Sequence, residues 1–119
     1  MAISVAARKQ KGRVLQQKVR DAILEAFPVL TERDVRSTPM GVSGEDIQLS
    51  SLGATLFPYS VEAKCQESLN IWGALREAES NNRELTPLVV FKRNKSKTYC
   101  VLEFEHFMEL IKELSEKNV

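Results

Sequence analysis

Tyr59-Ser60-Val61-Glu62-Ala63-Lys64-Cys65-Gln66 reads as a short strand with an apolar and a polar side. Successive strand side chains point to opposite faces, so Glu62, Lys64 and Gln66 share one face and Val61, Ala63 and Cys65 share the other. A carboxylate, an ammonium and an amide side by side make an unusual outer surface for a half-buried strand. They suit a divalent cation held next to a cationic side chain. Asp46, upstream behind the flexible Gly41-Val42-Ser43-Gly44, adds a second carboxylate. Carboxylate oxygens are the hard ligands that Mg²⁺ prefers, and Lys64 can orient a water or balance charge building on a phosphate.

Outward from this strand the pattern alternates between helix and sheet. Downstream, Ser68 reads as the N-cap of a helix over 68–80, with Leu69, Trp72, Leu75 and Ala78 as its buried face. Pro87 introduces the apolar run Leu88-Val89-Val90-Phe91, a central strand. Asn94-Lys95-Ser96 turns the chain into a partner strand over 98–104. Phe107, Leu110, Ile111 and Leu114 then stripe a C-terminal helix that begins near His106. Upstream, 34–37 and 45–49 read as two short strands. Residues 12–27 read as a helix with Leu15, Val19, Ala22, Ile23 and Ala26 on one stripe, closed by Pro28. The order α-β-β-β-α-β-β-α predicts an α/β fold, with a five-stranded mixed sheet packed between helices. Residues 1–11 read as a flexible basic arm and 12–119 as a single domain.

The 119 residues carry a formal net charge of +1, so the molecule as a whole is no polycation. Its cations are nevertheless clustered. Arg8, Lys9, Lys11, Arg13, Lys18 and Arg20 all precede the first acidic residue, Asp21, and Lys92, Arg93, Lys95 and Lys97 crowd the predicted hairpin tip. Basic patches on a neutral chain point to a polyanion docked on part of the surface. Cys65 and Cys100 are too few and too distant for a metal cage or a disulfide framework. Both fall in predicted strands and read as small buried apolar residues of a reducing compartment. No stretch approaches the ~18 apolar residues of a membrane span. The N-terminus places its charges after its apolar residues, the wrong order for a secretory signal, so a cytoplasmic protein is expected.

Lys11-Gly12, Val42-Ser43-Gly44-Glu45-Asp46-Ile47 and Val61-Glu62-Ala63-Lys64 together resemble the PD-(D/E)xK nuclease superfamily, and within it the small Holliday junction resolvases of archaeal and phage type. The resemblance spans most of the chain from Lys11 onward. Arg36-Ser37-Thr38-Pro39-Met40-Gly41 and Phe57-Pro58-Tyr59-Ser60-Val61-Glu62 look similar to phage-encoded nucleases in particular, which would place the protein in the cytoplasm of a bacterial host. The resemblance implies a restriction-endonuclease-like core and Mg²⁺-dependent phosphodiester hydrolysis, with Mn²⁺ as a substitute. It implies metal binding by Asp46, Glu62 and the carbonyl of Ala63, and assistance to the attacking water by Lys64. It further implies a homodimer acting on branched DNA, without a small-molecule substrate.

One position departs from the family pattern. Related resolvases carry a glutamate on the first helix a few residues after the Lys-Gly pair, and here that position is Gln16. Glu25 is the other candidate. Gln16 lies at the margin of the Leu15/Val19/Ile23 stripe, whereas Glu25 points away from it, so Gln16 is preferred. Gln66 shares the Glu62/Lys64 face, and either contacts water or phosphate or is a surface side chain. Ser43 either touches a phosphate or shapes its turn. Arg8, Lys9, Lys11, Arg13, Lys92, Arg93, Lys95 and Lys97 are the expected phosphate contacts. Trp72 and His106 read as core and surface residues respectively. The C-terminal stripe fits a dimer contact and the core equally. Two other functions remain open: a nickase or end-directed nuclease on ordinary DNA, and a non-catalytic DNA-binding module of the same fold.

Overall fold

The computed structural model describes residues 4–39 and 41–118. Its elements run α1 (Val5–Ala26), β1 (Val35–Ser37), β2 (Ile47–Leu49), α2 (Ser51–Leu56), β3 (Tyr59–Cys65), α3 (Ile71–Asn81), β4 (Thr86–Lys92), β5 (Tyr99–Val101) and α4 (Phe104–Lys117). This is the predicted order with one short helix, α2, added. Ser50 starts α2 by accepting the Gly53 N–H at 3.0 Å, a cap hidden inside an unremarkable Leu-Ser-Ser-Leu run.

The predicted five-stranded sheet is two sheets. β3 pairs with β4 in parallel, from Tyr59↔Thr86 to Cys65↔Lys92, and β5 adds antiparallel to β4. A parallel pair needs a long crossover, and α3 supplies it. β1 and β2 form a separate antiparallel hairpin, Val35↔Leu49 to Ser37↔Ile47. The break has a visible cause. Asp46 donates its N–H to the Val61 carbonyl at 3.1 Å, as a ladder residue would. Its side-chain Oδ2 then accepts the Ala63 N–H at 2.6 Å, where the next backbone carbonyl would belong. A carboxylate replaces the ladder, and the strands part.

The β3–β4–β5 sheet is covered on both faces. Leu15 and Ile23 of α1 pack with Val61, Ala63 and Val90, and with Val35 and Ile47 of the hairpin. On the opposite face Ala74 and Ala78 of α3 meet Val89, with Phe91 and Val101 around them. The two alanines let α3 approach so closely that the Ser60 hydroxyl donates to the Ala78 carbonyl at 2.7 Å. The polar side of β3 is therefore not an outer surface: Glu62 is only 5% exposed.

Several expectations need correcting. Residues 5–11 of the predicted flexible arm are helical, because Ser4 caps α1 by accepting the Ala7 N–H and the run is rich in good helix formers. Residues 1–3 of that arm, and Met40 of the 38–41 turn, lie outside the described residues. Ser68 is not the cap of α3. Asn70 is, through its Oδ1 and the Gly73 N–H, and with Ala74 inward Trp72 falls on the far side, 71% exposed. Cys100 is exposed, and Cys65 is half-buried against the edge of the core. The C-terminal stripe, which the sequence left open between core and surface, faces solvent, and α4 contributes no buried side chain. No helix among the described residues is long and apolar enough to cross a membrane.

Candidate active site

β3 brings the site together because its edge is open beyond Ala63. Asp46 reaches that edge from the start of β2, Glu62 and Lys64 project on the α3 side, and Gln16 arrives from α1. All four line one open cleft of about 830 Å³, together with Arg8, Lys11, Gln66 and Asn94. Strand geometry adds a backbone group. A strand residue's N–H and C=O point the same way, and the Ala63 N–H points at Asp46, so its carbonyl lies on the same edge.

Each side chain is held. Asp46 Oδ2 is fixed by the Ala63 N–H. Glu62 Oε2 accepts from Asn81 Nδ2 at 3.0 Å, and Glu62 Oε1 lies 3.7 Å from Lys64 Nζ. Lys64 Nζ is also 3.1 Å from Glu77 Oε2. Gln16, 7% exposed, accepts the Ser37 hydroxyl on Oε1 at 2.9 Å, leaving its amide N–H groups for other partners.

The electrostatics are those of crowded, dehydrated acids. Burial, then the Asp46 charge and a proton shared with it, push the Glu62 carboxyl up to about 8. Burial also raises Asp46, against the opposing pull of the Ala63 N–H, Glu62 and Lys64. Burial works to depress the Lys64 ammonium, but the Glu77 hydrogen bond and the Glu62, Glu77 and Asp46 charges outweigh it and leave its pKa raised. Lys64 is therefore a permanent cation, unsuited to act as a base near neutral pH.

A pair of carboxyl groups forced to share a proton is a site short of positive charge. A divalent cation would supply that charge, and the residues fit one. Among the described residues no group of three or more His, Cys, Asp or Glu side chains gathers to hold a metal. The donor set is two carboxylates with the Ala63 carbonyl. That suits Mg²⁺, which keeps several waters and takes one or two carboxylates, and not a closed zinc site.

The remaining sequence candidates divide. Arg8 and Lys11 line the cleft; Lys9 and Arg13 are exposed and do not line it. Ser43 is exposed in the β1–β2 loop. Lys92, Arg93, Lys95 and Lys97 sit at the β4–β5 turn, where Lys95 adopts φ 64° and Asn94 reaches the cleft. That turn lies beside α1, since Lys18 Nζ donates to the Thr98 hydroxyl at 2.9 Å. Glu25 is exposed and does not line the cleft. Sequence reasoning missed Glu77 and Asn81. The two stand four residues apart on α3, flanking the buried Ala74/Ala78 pair, and so share a face over the Glu62/Lys64 strand, a placement that only the packing of α3 reveals. No protein-family model, curated protein or solved structure matches the chain.

Proposed function

We propose that this protein is a metal-dependent deoxyribonuclease with a restriction-endonuclease-like core, acting on branched DNA in the manner of a phage-type Holliday junction resolvase. The observation that carries the reading is the meeting of Asp46, Glu62 and Lys64 with Gln16 in one cleft bordered by Arg8 and Lys11. A bound Mg²⁺ or Mn²⁺ would supply the positive charge that phosphodiester hydrolysis needs as its oxygens become more anionic. Asp46, Glu62 and the Ala63 carbonyl would hold it. Lys64, kept protonated by Glu77 and Glu62, faces the same developing charge and fixes the orientation of a neighbouring water. The Gln16 amide, anchored through its oxygen to Ser37, has N–H groups left to place water or a phosphate oxygen. Arg8 and Lys11 bind the flanking backbone, which gives affinity without sequence preference.

The test is cleavage of a labelled four-way junction beside matched linear duplex and single strand, in Mg²⁺, Mn²⁺ or EDTA. Metal-dependent cutting of the junction alone is expected, lost in Asp46→Ala and in Lys64→Ala, with Lys64→Ala still binding the junction. Equal cutting of all three substrates would remove the branch preference and leave a general nuclease. Tight binding without cutting in either metal would overturn the enzymatic reading in favour of a binding module.

A further inference from the structure

α4 (Phe104–Lys117) meets the rest of the molecule with its polar side. Its contact runs from His106, whose Nε2 lies 2.6 Å from the Tyr59 hydroxyl, and Glu113 is close enough for Tyr59 to feel its charge. At 3.6 residues per turn His106 and Glu113 are within about 20° of one another on the helix, and the centre of the Phe104/Phe107/Ile111/Leu114 stripe is about 120° or more away. The apolar side thus points outward. Phe104, Phe107, Met108, Leu110, Ile111 and Leu114 are between 38% and 68% exposed. A contiguous apolar surface of this kind marks an interaction site.

The stripe specifies its own partner. Phe104 and Ile111 occupy heptad position a, Phe107 and Leu114 position d, Met108 position e, and Glu103, Leu110 and Lys117 position g. In an antiparallel pair about a two-fold axis, Phe104 stacks on the partner's Leu114 and Phe107 on the partner's Ile111, each twice. The flanking g positions then match in charge: Glu103 falls opposite the partner's Lys117 at both ends, and Leu110 opposite the partner's Leu110. A parallel pair would set Glu103 against the partner's Met108 and Leu110 against the partner's Ser115, with no charge match. Both ionic side chains are available. Glu103 sits at the helix N-cap without making a capping hydrogen bond, and neither it nor Lys117 pairs with another described residue.

We infer that two copies of this chain associate through antiparallel α4 helices in this register. The nuclease resemblance implies a homodimer but no interface; the interface and its register are read from α4 alone and stand or fall apart from the nuclease reading. A seam of about four turns is short, so association at micromolar concentration is expected.

Sedimentation velocity on the full chain, from ~1 to ~200 µM, reads the outcome directly. Wild type should pass from monomer to dimer across this range, and Ile111→Asp should stay monomeric. No α4 side chain is buried in the monomer, and an unchanged circular dichroism spectrum keeps loss of the dimer apart from loss of the fold. Glu103→Lys and Lys117→Glu should each weaken the dimer, about fivefold or more, and their combination should restore it. A wild type that stays monomeric throughout would overturn the inference, as would a dimer that survives Ile111→Asp. A double charge exchange no tighter than the single variants would reject the antiparallel register.

Discussion

Gln16 and Glu62 show how a single position can carry both structure and chemistry. Gln16 lies at the inner edge of α1, tied to Ser37 and open to the cleft, while Glu25 stands in solvent on the same helix. Gln16→Ala should lower cleavage about tenfold or more, and Glu25→Ala should leave it within about twofold, measured as single-turnover rates. The reverse ranking would remove Gln16 from the site. Glu62 offers a test that needs no substrate. An acid whose pKa is higher in the folded than in the unfolded chain stabilises the fold through its protonated form. That contribution is complete below the ordinary value of 4.5 and is lost as pH rises through about 8. In EDTA, therefore, Glu62→Gln should gain on wild type between pH 5 and 9 by roughly 2–4 kcal/mol, read from paired thermal melts. Mg²⁺ should shrink the gain at high pH, since it favours the charged pair. A constant difference across that range would show that Glu62 titrates normally. At this scale Asp46, Glu62, Lys64 and Gln16 were legible because alternation and helical phase fix side-chain direction. Glu77 and Asn81 were not, because the closeness of α3 to β3 depends on two alanines that look unexceptional in a sequence.

Among the elements, the β1–β2 hairpin determines where Asp46 stands, and a small polar knot holds the hairpin. The Asp34 carboxylate accepts the Thr31 N–H at 2.8 Å and the Ser50 hydroxyl at 2.7 Å, while the Ser50 N–H returns to the Asp34 carbonyl at 2.9 Å. Those hydrogen bonds, led by the one from Thr31, lower the Asp34 pKa. Gly53 closes the knot. A Cβ there would come within 2.7 Å of the Asp34 carbonyl oxygen, a backbone atom that cannot step aside. Gly53→Ala, ordinarily stabilising inside a helix, should here cost about 1–3 kcal/mol in denaturant unfolding. A neutral or stabilising result would show that α2 slides freely against the hairpin. This arrangement also marks where sequence reading ran out. Strand and helix order followed from periodicity and from Pro28 and Pro87. The split of the sheet did not, since it turns on one aspartate side chain taking the place of a backbone carbonyl. Trp72 went wrong for a related reason: an N-cap at Asn70 in place of Ser68 sets a different helix phase, and the largest apolar residue of the segment then faces solvent.

Over the whole molecule, charge distribution matters more than net charge. A chain of formal net charge +1 has no long-range attraction for DNA, so any affinity must come from local convergence. The fold provides it. The basic residues of α1 and the Lys92–Lys97 turn are remote in sequence, yet the Lys18–Thr98 hydrogen bond ties the helix to the end of that turn, and Arg8, Lys11 and Asn94 border the same cleft as Asp46 and Glu62. The acidic centre would repel a phosphate unless a cation were bound, so DNA affinity should rise when Mg²⁺ is added to metal-free protein. Away from the centre each cation that meets a phosphate releases counterions, and log Kobs falls with log salt by about 0.9 per contact on duplex DNA. Replacing both Arg8 and Lys11 by alanine should therefore flatten the salt slope by about 1.8, measured by fluorescence anisotropy with the same labelled duplex arms at several KCl concentrations. Lys9→Ala, at a residue that does not line the cleft, should change it far less. If the double variant keeps the wild-type slope, these side chains do not touch phosphate, and DNA must approach the molecule from a direction other than the cleft.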